Sequence, residues 1–115
     1  MAEVTTLYRP VGPDELALIE AAGWRAFPPR LPEQPIFYPV LDEEYAHQIA
    51  RQWNVRDSGA GFVTRFVVDS QSLGRYPVRQ VGASVHRELW VPAEELDEFN
   101  RYIVGLIEVV AEYRA

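Results

Sequence analysis

The chain has 115 residues, 48% of them hydrophobic, and a formal net charge of −6 at pH 7. This length suits one compact domain, residues 1–115, with a sizeable core. Cysteine and lysine are both absent from the sequence, which excludes disulfides, thiolate metal sites, a cysteine nucleophile and lysine Schiff-base chemistry. The acidic balance also disfavours nucleic acid as a partner, because nucleic-acid binding depends on neutralising phosphates.

The first quarter of the chain predicts a strand followed by a short helix. Residues 4–9 are β-branched and aromatic, which is typical of a strand. Because proline suits the first helical turn, Gly12-Pro13-Asp14 predicts a helix start, and Gly23 is placed to end that helix in a left-handed conformation. Residues 24–35 contain four prolines, which predict a stiff loop.

A second strand and the best amphipathic helix follow this loop. Residues 36–40 are short and apolar and predict the strand. Asp42 is a suitable N-cap for a helix over residues 43–53. Apolar side chains recur on one face of that helix at Tyr45, Ala46, Ile49, Ala50 and Trp53. The polar, glycine-containing residues 54–61 predict a flexible loop.

The second half of the chain predicts mostly strands. Residues 62–68 are apolar on both faces, which indicates a central strand. Residues 78–82 indicate an edge strand, and residues 85–91 indicate another strand.

The last part of the chain completes the predicted fold. The acidic residues 93–100 predict one or two helical turns, and residues 102–113 predict a long strand with a bulge at Gly105. The expected fold class is therefore α+β, with a curved, mostly antiparallel sheet and one or two helices packed against it.

The sequence shows no targeting or membrane segment. Its first ten residues carry no basic region followed by an apolar run. No stretch approaches the ~18 apolar residues that a membrane helix needs. We therefore expect a cytoplasmic protein without a membrane partner.

Glu88 is the candidate catalytic group. Because side chains alternate along a strand, His86, Glu88 and Trp90 point to one side and the apolar residues to the other. A carboxylate in the middle of a strand is disfavoured by burial and by strand propensity. Glu88 therefore lies either on an exposed face in an ion pair or in a cleft, and the sequence leaves both interpretations open.

Arg9 and Tyr38 are candidates for the other side of such a cleft. Arg9 ends the first predicted strand, where a guanidinium can hold a phosphate with two hydrogen bonds or can cap the sheet edge. Tyr38 lies in the second predicted strand, just before a helix, so its ring belongs either in the core or at a cleft rim.

A metal site is not indicated. The two histidines, His47 and His86, could in principle join Glu88 as ligands. The sequence lacks any HExxH-like spacing, so we expect no metal ion.

The order of these residues resembles the triad of the ADP-ribosyltransferase superfamily, which is Arg or His, then Ser or Tyr, then Glu. In this sequence the matching residues are Arg9, Tyr38 and Glu88. The chain also resembles a group of small bacterial proteins described as "ADP-ribosylation/crystallin J1". That resemblance covers nearly the full length, in Leu7-Tyr-Arg-Pro10, Phe27-Pro-Pro-Arg30, Pro35-Ile-Phe-Tyr-Pro39, Glu44-Tyr-Ala46, Glu88-Leu-Trp-Val-Pro92, Phe99-Asn100 and Ile103-Val-Gly105.

The superfamily resemblance implies a split sheet with NAD, the substrate, bound in the cleft between its halves. It implies that Arg9 holds the pyrophosphate or ribose and that Tyr38 packs on the cationic nicotinamide ring. Glu88 would bind the ribose 2′-hydroxyl and stabilise an oxocarbenium-like state. His86 is counted among the candidate NAD-binding residues. It stands where many transferases carry the Gln or Glu that positions the acceptor, so the identity of the acceptor stays open.

Two functions remain in view at this point. The first is an NAD-dependent transferase or NAD glycohydrolase that acts without a metal ion. The alternative is a non-catalytic binding or regulatory module with the same fold. Its support is the short chain, the His86 departure and the proline-rich loop, which could serve as a partner surface.

Overall fold

The computed structural model of the protein describes residues 3–80 and 87–115. Its strands within these ranges are β1 (Val4–Val11), β2 (Ile36–Phe37), β3 (Ala60–Asp69), β4 (Val78–Gln80), β5 (Arg87–Leu89), β6 (Val91–Pro92) and β7 (Ile103–Arg114). Its helices are α1 (Pro13–Ala21), α2 (Glu43–Ile49), α3 (Val55–Ser58), α4 (Ser70–Leu73) and α5 (Leu96–Arg101), with a π-helical turn at Ala50–Asn54 and a 3-10 turn at Ala93–Glu95. The α+β class with antiparallel strand pairing is confirmed.

The largest sheet is antiparallel and has the strand order β1-β3-β7. The central position predicted for residues 62–68 is confirmed, because β3 pairs on both sides and Val63 and Thr64 are fully buried. The bulge predicted at Gly105 is also confirmed. Gly105 has a φ of +80°, and the register of β7 on β3 shifts where this glycine lies.

A second antiparallel pair, β4 with β5, meets β1 through Val40. Val40 exchanges two backbone hydrogen bonds with Tyr8, at 2.9 and 2.7 Å, and bridges to Glu88 on its other side. In an antiparallel ladder the next hydrogen-bonded pair would be Pro10 with Tyr38. Pro10 has no N–H to donate, so regular pairing cannot continue past Val40 and room is left for a cavity.

The core beneath the sheet is built on four phenylalanines. The ring centroids of Phe27 lie 4.8 Å from Phe66 and 5.1 Å from Phe37, and Phe37 lies 5.6 Å from Phe99. The side-chain amide of Asn100 makes two hydrogen bonds of 3.0 Å to the backbone of Phe27. These contacts hold the proline-rich loop against α5 and bring Phe37 and the following Tyr38 into position.

The helix after Asp42 is longer than the sequence predicts. Asp42 accepts a hydrogen bond from the backbone N–H of Tyr45 (3.2 Å), which confirms the N-cap. The prediction of a loop over residues 54–61 is wrong, since helical backbone continues to Ser58 and β3 begins at Ala60. Trp53 is 53% exposed and does not share the buried face, because a π-helical turn breaks the 3.6-residue spacing on which that prediction rests.

Two predicted strands are shortened or divided in the structure. The strand predicted over residues 36–40 is reduced to β2 and a single bridge at Val40. The described part of the strand predicted over residues 85–91 is divided into β5, which pairs with β4, and β6, which pairs with β2. The edge strand predicted over residues 78–82 appears as β4, and its last two positions lie outside the described residues.

Across the part of the chain that the structure describes, every helix is too short or too polar to cross a membrane.

Candidate functional site

A cavity of about 360 Å³ lies where pairing between β1 and the Tyr38 segment ends. This first cavity is lined by Arg9, Pro10, Tyr38, Val40, Ile49, Asn54, Glu88 and Trp90. Arg9, Tyr38 and Glu88, which the sequence singles out, therefore share one cavity. The fourth residue, His86, lies outside the described residues. The volume falls within the ~300–1,000 Å³ typical of small-molecule sites, near the lower end.

Glu88 is held on the cavity wall by two neutral donors. Its Oε1 accepts a hydrogen bond from the indole N–H of Trp90 (3.0 Å), and its Oε2 accepts one from the hydroxyl of Tyr45 (3.4 Å). The neighbouring Leu89 and Val91 are buried, as the predicted alternation requires. Within residues 3–80 and 87–115, no arginine forms an ion pair with Glu88. The carboxylate thus lies in a cleft rather than in an ion pair on an open sheet face.

Tyr45 is a donor that stays protonated. Burial and the adjacent Glu88 carboxylate raise the pKa of the Tyr45 phenol above its ordinary value. The hydroxyl therefore keeps its proton at neutral pH and can donate to Glu88. A carboxylate fixed in this way needs little rearrangement to act on a developing positive charge.

The aromatic wall of the cavity consists of Tyr38 and Trp90. Their ring centroids are 5.8 Å apart and their planes are nearly perpendicular, at 86°. The guanidinium carbon of Arg79 lies 5.2 Å from the Trp90 ring centroid and so packs against this wall. Tyr38 is only partly buried, which places it at the cleft rim and not in the core. The faces of such rings attract planar and cationic groups.

Arg9 is buried and already paired, which corrects its predicted place at a strand end. The β1 strand continues to Val11, and Arg9 is 8% exposed. Its Nε and Nη2 donate to the two carboxylate oxygens of Glu15, at 2.7 and 3.0 Å. Its guanidinium carbon also lies 4.6 Å from the centroid of the Phe37 ring. An anionic ligand at Arg9 has to compete with a bidentate carboxylate.

A second cavity of about 320 Å³ is lined by Glu15 and Arg30, together with residues of α1 and the proline-rich loop. The Nε of Arg30 donates to the carbonyl of Ile36 (3.1 Å). Burial, and then the positive charge of Arg9, lower the pKa of Arg30 from its ordinary value. Because Arg9 lines the first cavity and Glu15 lines the second, their ion pair lies between the two cavities.

The histidine that the structure describes belongs to a different cluster. His47 Nδ1 lies 2.6 Å from the Tyr113 hydroxyl, and Nε2 lies 3.0 Å from the Glu43 carboxylate. His47 lines neither of the two cavities. The described residues contain no group of three or more potential metal ligands from His, Asp and Glu.

Three residues at this site come from the helix and were not predicted to take part in it. The apolar spacing predicts Tyr45 and Ile49 on the buried helix face, and the polar stretch 54–61 predicts Asn54 in a loop. Gly61 is the one signal for this arrangement. A Cβ at Gly61 would lie 2.8 Å from the Asn54 Cβ and would overlap the Ala50 carbonyl oxygen, so only glycine lets the helix approach β3 this closely.

Comparisons with known proteins gave no match to a family model, to a curated protein or to a solved structure. The function has to be inferred from the cavity itself.

Proposed function

We propose that the protein is an NAD-dependent enzyme of the ADP-ribosyltransferase type, which cleaves the bond between nicotinamide and ribose in the first cavity. The observation that carries the proposal is that Arg9, Tyr38 and Glu88 line one cavity. They come from distant parts of the chain, in the order that resembles the superfamily triad. The end of pairing between β1 and the Tyr38 segment at Pro10 supports a split sheet of the kind that this resemblance implies.

The negative charge of Glu88 would stabilise the transition state for cleavage of the bond between nicotinamide and ribose. As the bond to the ribose C1′ breaks, its electron pair leaves with nicotinamide and positive charge moves to the ribose. The Glu88 carboxylate, held by Trp90 and Tyr45, opposes that charge without first reorganising. Water or an acceptor then bonds to C1′ and loses a proton, which gives hydrolysis in one case and ADP-ribosyl transfer in the other.

The aromatic wall would bind the leaving group. The nicotinamide ring of NAD is planar and cationic, and both properties suit the faces of Tyr38 and Trp90. The nearby negative charge of Glu88 adds to this preference. These three side chains together favour a cationic ring over a neutral or anionic one.

The rest of the dinucleotide would extend past Arg9 towards the second cavity. The first cavity lies near the lower limit for ligand sites, so it suits one half of a dinucleotide better than both. Arg9 and Arg30 are the cations at hand for the diphosphate. Binding there requires Glu15 to release part of Arg9, since the two groups now form a bidentate pair.

The same ion pair favours a second candidate, a non-catalytic binding module. Glu15 neutralises the cation that a diphosphate needs, and breaking a buried pair is unfavourable. A module of this kind would use the first cavity for a small neutral or cationic ligand and would not cleave NAD.

Two assays on the wild-type chain separate these candidates. The enzyme is expected to release nicotinamide from NAD when a cell lysate supplies acceptors, and millimolar NAD should raise its unfolding temperature. A thermal shift with NAD but no release would favour the binding module. If NAD causes no thermal shift and no nicotinamide is released, NAD as the ligand is contradicted.

A further inference from the structure

The second cavity contains an arginine whose positive charge has no partner among the described residues. Arg30 lines this cavity and is partly buried. None of the ion pairs between described residues includes Arg30. A guanidinium stays charged at neutral pH, and removing a charge from water without a partner is unfavourable. The presence of Arg30 in this cavity therefore needs a reason.

The surroundings of Arg30 leave one positive charge in excess. Burial and then the positive charge of Arg9 lower the pKa of Arg30, so both disfavour its charged form. Glu15 acts in the opposite direction, but both of its carboxylate oxygens already accept hydrogen bonds from Arg9. Asp14 also lines the cavity, but it is exposed and its charge is not among those that shift the pKa of Arg30. One carboxylate thus serves two guanidiniums.

The hydrogen-bond donors of Arg30 are held in place and are still available. Its Nε donates to the carbonyl of Ile36 (3.1 Å), which anchors the guanidinium at one end. The two Nη nitrogens carry four of its five N–H donors, and these have no acceptor among the described residues. Two such nitrogens can hold one carboxylate with a pair of parallel hydrogen bonds.

Much of the rest of the cavity is apolar. Leu18 of α1 and Pro28, Pro29 and Leu31 of the proline-rich loop line it, and the two leucines are 55% and 56% exposed. The Oε1 of Gln34 accepts a hydrogen bond from the backbone of Leu31 (3.2 Å). A volume of about 320 Å³ is near the lower limit for small-molecule sites, so the ligand has to be small and partly hydrocarbon.

We infer that the second cavity binds a small monocarboxylate with a short hydrocarbon body, its carboxylate on Arg30 and its hydrocarbon against Leu18 and Leu31. A single negative charge matches the single excess positive charge. A phosphate ester carries up to two negative charges, which is less suitable beside Glu15. The inference goes beyond the proposed function, because it concerns a second ligand and does not require NAD in the first cavity.

The test is an NMR titration that follows the methyl groups of Leu18 and Leu31, with NAD left out. Hexanoate is the probe, and we expect a dissociation constant on the order of 1 mM. Hexylamine has the same hydrocarbon with a positive head group, and acetate has the carboxylate without the hydrocarbon. Each should bind at least about tenfold more weakly than hexanoate, because each lacks one of the two features.

One variant tests the cation. Arg30→Gln removes the charge and the two-pronged donor, so it should weaken hexanoate binding about tenfold or more. Arg25→Gln is the matched control. It removes the same charge from an exposed position in the same loop, and Arg25 lines neither cavity. It should bind hexanoate as the wild type does.

A second variant tests the apolar wall and keeps every charge. Leu18→Ala should weaken hexanoate binding about threefold and leave acetate binding unchanged, with little effect on folding because Leu18 is exposed. Leu106→Ala is its control, since Leu106 is 50% exposed on β7 and lines neither cavity. It should bind hexanoate as the wild type does.

Three results would overturn the inference. They are no binding of hexanoate by the wild type at about 20 mM, hexylamine binding as tight as that of hexanoate, and equal hexanoate binding by the wild type and Arg30→Gln. Because these titrations contain no NAD, each of these results leaves the proposed function standing. Likewise, a wild type that does not bind NAD leaves this inference standing.

Discussion

The two charged walls of the first cavity are built in opposite ways. Glu88 accepts hydrogen bonds from Tyr45 and Trp90, which are neutral, so its negative charge is uncompensated by the described residues. Arg9 donates to both oxygens of Glu15, so its positive charge is balanced. Of these two charged side chains that line the cavity, Glu88 is the one without an ion-pair partner among the described residues. A cationic ring suits the cavity as it stands, whereas a diphosphate requires the Arg9–Glu15 pair to open.

Removing one partner of the Arg9–Glu15 ion pair should have the larger effect on stability. Arg9→Ala leaves the Glu15 carboxylate without its partner and removes the cation over Phe37. We expect a loss of about 2–4 kcal/mol in the free energy of unfolding, measured with urea, somewhat below the value for a fully buried pair because Glu15 is partly exposed.

The double variant Arg9→Met with Glu15→Leu is the control. It removes both charges and keeps apolar volume, so it should recover much of the lost stability. A double variant as unstable as Arg9→Ala would show that the guanidinium acts through packing and not through the pair.

Glu15→Gln tests whether the ion pair also limits NAD binding. It frees Arg9 and should tighten NAD binding about fivefold if the diphosphate competes for that cation.

Removing a hydrogen bond that holds Glu88 should affect turnover more than folding. Tyr45→Phe removes the 3.4 Å hydrogen bond to Glu88 and keeps the ring. We expect about three- to tenfold slower nicotinamide release and a change of less than about 1 kcal/mol in stability. Tyr76→Phe is the matched control, because the Tyr76 hydroxyl is buried without a described partner and does not line the first cavity. Equal rates for Tyr45→Phe and the wild type would remove Tyr45 from the site.

The smallest predicted effect concerns alkaline pH. Burial raises the pKa of Tyr76 to about 12. Below pH ~10 the phenol is protonated in both the folded and the unfolded chain, so its contribution is constant. As the pH rises from about 10 to about 12, only the unfolded chain loses this proton, and stability should fall. Tyr76→Phe should weaken this fall in unfolding free energy measured across that range, and a curve identical to the wild type would contradict it.

Local patterns were sufficient for one wall of the cavity. The alternation that sets Glu88 and Trp90 opposite Leu89 has a period of two residues, so it can be predicted without knowledge of the fold. The N-cap at Asp42 and the bulge at Gly105 are local in the same sense. The chain order of Arg9, Tyr38 and Glu88 suggested a shared site, and one cavity does contain all three.

The other wall depends on how elements pack. The pair between Arg9 and Glu15 forms because α1 folds back on β1, and the spacing of six residues does not indicate it. The π-helical turn likewise has no signature of its own. It lies where the helix approaches Gly61 on β3 closely, and neither Asn54 nor the exposed Trp53 could be placed from the sequence.

The central claim is that the Glu88 charge drives bond cleavage, and Glu88→Gln tests it most directly. The variant keeps the shape, and its hydrogen bonds can be kept if the Tyr45 hydroxyl reverses and accepts from the new amide. The measurement is the rate of nicotinamide release at saturating NAD, together with the NAD dissociation constant, with Glu112→Gln as an exposed control. We predict a rate about 10²–10³-fold lower, with affinity changed much less and stability nearly unchanged. Nicotinamide release by Glu88→Gln at the wild-type rate would contradict the claim.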